Sequence, residues 1–150
     1  MSNNNLKTSP VYAREFSFLF LYQFVYQNQQ ELAGIRERLD QSIDEFLPMV
    51  EFQLDKTAMG YAYKIISYIL EKEEELVVGL AEFIQGRKFE SVDSLEKSAL
   101  LLAAAEAQVN DELDKGIIIN ESLELAKKYG VNKGTAFINA VLDKYLGNAT

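Results

Sequence analysis

The 150-residue sequence contains no cysteine and no histidine. The first absence removes disulfides, thiolate nucleophiles and thiolate metal sites. The second removes every histidine-based triad and histidine metal site. What remains for catalysis is carboxylate, lysine, tyrosine or serine chemistry. Carboxylate metal centres in helical bundles ordinarily draw on Glu-x-x-His pairs, so the sequence argues against a carboxylate-metal enzyme, and no metal or cofactor is expected. Cations are also in short supply: 15 Lys and Arg against 23 Asp and Glu give a net charge of −8. A non-specific nucleic-acid binder needs a basic surface to release counterions. That class is disfavoured, although a local basic patch stays open, and the field favours a partner of basic character. No apolar run approaches the roughly 18 residues of a membrane span, and the opening MSNNNLKTS is polar rather than signal-like. A soluble, cytoplasmic protein with no membrane partner is expected.

Proline occurs only twice and glycine eight times, while 48% of residues are hydrophobic. Helix-favouring Leu, Ala, Glu and Lys dominate. The composition predicts one all-α domain over residues 1–150, with residues 1–8 flexible. Ser9–Pro10 marks a helix start: a hydroxyl to cap, then a proline whose missing N–H costs nothing at the first position. This helix is expected to reach about Gln27. One of its faces carries Phe16, Leu19, Phe20 and Phe24, another Phe18, Leu21, Tyr22 and Val25. A helix apolar on two faces is either central in its bundle or half-covered by a partner.

A second helix is predicted from about Gln30 to Leu47, ended by Pro48, and a third from about Leu54 to Glu71. The acidic run Glu71–Lys72–Glu73–Glu74–Glu75 follows. A helix spreads consecutive carboxylates around its circumference, so this reads as a solvated face or helix junction rather than a metal site. A short helix carrying Leu76, Leu80, Phe83 and Ile84 is expected to end at Gly86. Asp93 with Glu96 three residues later forms a capping pattern before the ALLLAAAEA run, whose small side chains suit a central helix. Asp114 is a plausible cap for the next. The total is seven helices in two layers, with a break near residues 48–53 or 86–92, and no alternation long enough for a sheet.

The most patterned stretch is IIINESLELAKKYGVNKGTAFINAVLDKYL, beginning at Ile117. Ile119, Leu123 and Ala126 share one helical face; Phe137, Ala140 and Val141 share another, widened by Ile138, Leu142 and Tyr145. Gly130 sits where a helix end calls for positive φ. The helix beginning near Lys133–Gly134–Thr135 offers backbone N–H groups, a cation and a hydroxyl, which together suit a phosphate. Phe137, one turn in, either stacks on an unpaired base or belongs to the core.

This stretch resembles the C-terminal signature of the NusB family of bacterial transcription antitermination factors. The matching positions are Ile119, Asn120, Glu121, Glu124, Leu125, Ala126, Lys127 and Gly130, then Phe137, Asn139, Val141, Leu142, Asp143 and Lys144. Ala13–Arg14–Glu15 followed by Leu21–Tyr22 is similar to the family's first helix, and Leu95–Glu96–Lys97 with Ala103 and Glu106 adds a weaker block. The resemblance implies an all-α fold of two helical sub-bundles and an RNA-binding adaptor without catalytic activity. Such a protein pairs with NusE, a small-subunit ribosomal protein, and binds boxA RNA of nascent ribosomal RNA transcripts within an RNA polymerase antitermination complex. Some members self-associate through the partner surface, so a homodimer is an alternative assembly. Carried over by residue, the partner contact falls on Tyr22 and Glu96, with Phe18 sharing the face of Tyr22. The RNA contact falls on Phe137 by the match and, by position near the N-terminus and the start of the last helix, on Lys7, Arg14, Lys133, Thr135 and Asn139. The alternatives are an ordinary helix-surface arginine for Arg14 and a structural role beside the turn for Asn139.

The sequence departs from the family where cations are expected. Pro10, Val11 and Tyr12 stand where the family places arginines, Ala136 where it places a lysine, and Leu100–Leu101 where it has Leu-Arg. Each lost cation removes a phosphate contact. RNA binding weaker than in a typical member, or more dependent on the partner, is therefore expected. The alternative is a NusB-fold protein-interaction module that has lost most RNA affinity.

Overall fold

The computed structural model describes residues 6–86, 88–130 and 134–147. Strand β1 (Leu6–Lys7) precedes α1 (Pro10–Leu19), which runs on directly as a π-helix over Phe20–Tyr26. Then come α2 (Leu32–Glu37), α3 (Leu39–Phe46), a 3-10 turn at Leu47–Met49, β2 (Gln53–Leu54) and α4 (Lys56–Ala81). A second 3-10 turn, Phe89–Ser91, leads to α5 (Ser94–Val109), α6 (Lys115–Lys128) and α7 (Thr135–Gly147). The chain divides into two compact units, Met1–Glu71 and Lys72–Thr150.

The described residues hold seven α-helices, as expected, but distributed differently. The second predicted helix is two helices, broken at Arg38 where the backbone leaves the helical region (φ −139°, ψ 48°). The third and fourth predicted helices follow one another without a loop along α4. They meet at a kink at Lys72 (φ −117°, ψ 20°) inside the acidic run, which is the helix junction that run suggested. Arg36 Nε donates to the Leu70 carbonyl at 2.9 Å, and a side-chain donor inserted into the helical ladder is a recognised origin of such kinks. The division between the units therefore falls at this kink, not near 48–53 or 86–92. The α-helix ends at Phe46, just ahead of Pro48 as expected, and Pro48 lies in the 3-10 turn that follows. The expected absence of strands also fails on a small scale: β1 and β2 pair in parallel, Leu6 with Gln53 and Lys7 with Leu54. Leu6 and Lys7, within the segment expected to be flexible, form β1; residues 1–5 lie outside the described set.

In the first unit, Ser9 caps α1 through a bond from Val11 N to its Oγ at 3.1 Å, with Pro10 at the first position. Every residue from Ala13 to Leu21 is buried, so α1 is the central helix its two apolar faces suggested. Phe16, Phe20 and Phe24 surround Phe46 edge-on at centroid distances of 5.3, 5.4 and 5.9 Å, and Phe20 stacks on Phe24 at 5.2 Å. Each such pair contributes about 0.5–1.5 kcal/mol beyond area burial.

In the second unit α5, α6 and α7 pack on one another. Ser98 to Glu106 are all buried along α5, where small side chains allow close approach. Ser122 of α6 donates through Oγ to the Ala99 carbonyl of α5 at 2.8 Å. Asp114 caps α6, its carboxylate accepting from the Gly116 and Ile117 amides at 2.6 and 3.3 Å. Lys115 Nζ meets the Leu146 carbonyl of α7 at 2.6 Å, a cation at the negative end of that helix. Gly130 takes the expected positive φ, +113°. Asp93 occupies its predicted cap position, but its side chain makes no capping bond.

Candidate protein and nucleic-acid interfaces

The tyrosine singled out on the first helix stands in the π-helical segment. In a π-helix the N–H bonds five residues back rather than four, and Gln27 N bonds the Tyr22 carbonyl at 2.9 Å in that manner. The wider turn is held by side-chain amides. Asn28 Nδ2 donates to the Gln23 and Phe24 carbonyls, both at 3.2 Å, and Gln30 Nε2 donates to the Phe24 carbonyl at 3.0 Å. Gln29 then reverses the chain with φ 55°. Tyr22 is half-buried. Its ring lies 6.2 Å from that of Phe18, and its Oη accepts from Gln27 Nε2 at 3.1 Å.

Phe18 itself is fully buried. Of the two aromatics expected on the partner face, Tyr22 presents surface and Phe18 supports it from the core. Glu96, in the first turn of α5, is buried at 9% exposure. It belongs to the second unit and Tyr22 to the first.

Among the residues expected to meet RNA, Lys7 is half-buried in β1 with its Nζ 5.2 Å from the centre of the Tyr12 ring, a cation–π contact. Tyr12 packs edge-on against Phe52 at 5.5 Å. The Lys7 carbonyl accepts from Asp55 N at 2.9 Å. Asp55 in turn caps α4 by accepting from Ala58 N at 2.9 Å. That bond first, and a hydrogen bond from Thr8 second, hold the Asp55 carboxyl below its usual pKa. Arg14, expected on the helix surface, is only 6% exposed and offers little of its guanidinium to a phosphate.

At the start of α7, Thr135 and Phe137 are half-buried and Asn139 is exposed, as are Ala136 and Ala140. The buried stripe is Ile138, Val141, Leu142 and Leu146, so Phe137 lies at its margin, not at its centre. Ile138 N bonds the Gly134 carbonyl at 3.0 Å, and the first-turn amides of a helix point away from its body. Thr135, Phe137 and Asn139 are thus gathered on one helical start; Lys133 lies outside the described residues.

The sequence reading missed Gln27, Asn28 and Gln30. The signal was the amide run Gln27–Asn28–Gln29–Gln30 immediately after an aromatic helix, where side chains can replace backbone donors. No group of three or more acidic or histidine side chains able to hold a metal is found among the described residues. None of the helices there is long and apolar enough to cross a membrane.

The fold defines a small all-α protein with an aromatic-centred first unit and a second unit built around an alanine-rich helix. The family model described as NusB family matches residues 12–146, and the chain belongs to that family. It is 27% identical over 135 residues to the transcription antitermination protein NusB of Syntrophomonas wolfei, covering 90% of this chain and 93% of that one. It is 28% identical over 141 residues to the protein of the same name from Clostridium botulinum, covering 89% and 96%. Among solved structures, T. maritima NusB superposes with a TM-score of 0.77 at 22% identity, covering 95% of this chain and 94% of that one. A chain in the crystal structure of a plectonemic RNA supercoil gives 0.73 at 22% identity, covering 93% and 97%.

Proposed function

We propose that this protein is a cytoplasmic, non-enzymatic antitermination adaptor. It pairs with NusE and, with it, binds boxA RNA of nascent ribosomal RNA transcripts as part of an RNA polymerase antitermination complex. The observation that carries this reading is the family match over residues 12–146, supported by relatives named as transcription antitermination proteins along nearly their whole length. In this reading Tyr22 and Glu96 are the partner contacts, and Thr135, Phe137 and Asn139 with Lys7 and Lys133 are the RNA contacts. A net charge of −8 suits a basic ribosomal protein and speeds its encounter.

A second reading is favoured by the burial of Arg14 and by the uncharged Pro10, Val11, Tyr12 and Ala136 where the family carries cations. In it the protein keeps the protein partner and has lost most RNA affinity. Titration of labelled boxA RNA, with and without NusE and at several salt concentrations, separates the two. Binding that appears with NusE and weakens on a shallow salt slope supports the first, because the slope counts phosphates neutralised. No RNA binding in either condition at low salt, with NusE still bound, leaves only the second.

A further inference from the structure

We propose that Gln27 is a positioning residue for the protein partner: by donating to the Tyr22 hydroxyl at the end of the π-helical turn, it fixes the phenol as a hydrogen-bond donor toward an acceptor group on the partner. The inference rests on the reading of Tyr22 as a partner contact and adds which chemistry that contact demands.

Gln27 grips Tyr22 at both ends. Its backbone N–H bonds the Tyr22 carbonyl at 2.9 Å, and its side-chain Nε2 donates to Oη at 3.1 Å. Both bonds depend on the five-residue spacing of the π turn. That turn is kept open by Asn28 and Gln30, whose amides fill the Gln23 and Phe24 carbonyls. Phe18 backs the ring from the core. A phenol carries one O–H donor and accepts through its oxygen. With the accepting side engaged by Gln27, the O–H is left to donate outward. A partner carbonyl or carboxylate fits that position, and a partner ammonium or amide N–H does not. One-turn π segments recur at functional sites, and this one serves to bring residue 27 over residue 22.

The test is the affinity of purified NusE for six forms of the protein, with thermal midpoints measured alongside. Gln27 is exposed, so its variants are expected to fold. Gln27→Ala should weaken binding about 3-fold, the scale of one hydrogen bond between neutral groups. Gln27→Glu should weaken it about 10-fold, because the carboxylate accepts the phenol proton and withdraws it from the partner. Charge alone predicts the opposite, since added negative charge favours a basic partner. In a Tyr22→Phe background both substitutions at 27 should be without effect. Unchanged affinity in both single variants, or tighter binding by Gln27→Glu, overturns the proposal while leaving the adaptor reading intact. Failure of the unaltered protein to bind NusE overturns the adaptor reading, and this inference with it.

Discussion

The first and last helices of this protein differ in how they present the residues proposed as contacts. From Ala13 in α1 to Leu21 in the π segment, nine consecutive residues are buried whatever their polarity; Arg14, Glu15 and Ser17 are as enclosed as the phenylalanines beside them. Before this run only the first turn of α1, Pro10 to Tyr12, is accessible; after it the π turn leaves Tyr22, Gln23 and Tyr26 partly accessible. α7 is amphipathic in the ordinary sense, with Ile138, Val141, Leu142 and Leu146 inward and Ala136, Asn139, Ala140, Asp143 and Lys144 outward. One helix offers a single anchored tyrosine; the other offers a row. The first suits a protein partner, where a few well-held aromatics carry most of the energy. The second suits a polymer such as RNA, where contacts are many and individually weak.

The sharpest way to break this contrast is to make the same substitution in both helices. Phe20→Ala removes a ring that stacks on Phe24 and meets Phe46 edge-on, and should cost about 3–5 kcal/mol of stability. Phe137→Ala removes a half-buried ring at the margin of the α7 stripe and should cost about 1–2 kcal/mol, scaled to its partial burial. Urea unfolding midpoints measure both. RNA affinity should reverse the order: Phe137→Ala should weaken boxA binding about 10-fold, within the range of one lost base stack, while folded Phe20→Ala protein should bind as before. Equal stability losses would place Phe137 in the core and end its role as a stacking residue.

The two units also differ in how their helices are started. Asp114 caps α6 with two amide bonds, so Asp114→Ala should lose about 1 kcal/mol, read as a lower thermal midpoint. Asp55 caps α4, and its carboxyl is held below the ordinary value, chiefly by the Ala58 amide. A depressed folded pKa means stability that is fully present above the unfolded value of about 3.9 and lost as pH falls through the lower, folded value. Asp55→Asn keeps an accepting oxygen but cannot titrate. Its stability near neutral pH should fall by the contribution of the ionised carboxylate, and the part of the acid-induced loss that belongs to Asp55 should vanish. An unaltered acid profile would remove Asp55 from the account.

Much of this was legible in the sequence, for identifiable reasons. The two apolar faces of the first helix announced a central element, and Ser9–Pro10, Asp114 and Gly130 announced helix ends, because each acts through local backbone chemistry. The inward face of α6 was read one residue out. Ile119 and Leu123 were expected inside, yet the buried set is Ile118, Ser122, Leu125 and Ala126. Three consecutive isoleucines carry no phase of their own, and the burial of Ser122 depends on the Ala99 carbonyl of another helix. The junction at Lys72 was legible as the acidic run between two apolar-periodic stretches. The break at Arg38 was not, since that position carries neither proline nor glycine. Within the candidate surfaces, Tyr22 and Phe137 were legible by resemblance. The burial of Arg14 and Phe18 was not, since it depends on residues distant in sequence.

The smallest expected effect concerns the end of the π turn. Gln29 has φ 55°, a left-handed conformation that costs an L-residue roughly 1–2 kcal/mol. Glycine adopts it without steric cost but loses more backbone freedom on folding, about 0.5–1 kcal/mol. The difference predicts that Gln29→Gly stabilises the protein by about 0.5 kcal/mol, read as a small rise in thermal midpoint. The Gln29 N–H bond to the Tyr26 carbonyl at 3.2 Å is kept in this variant. The amide donors from Asn28 and Gln30 are untouched, so Tyr22 should stay in place and NusE affinity should not move. A rise in stability with a loss of affinity would mean that the turn works by yielding. That outcome would replace a rigidly held tyrosine with one that is released for its partner.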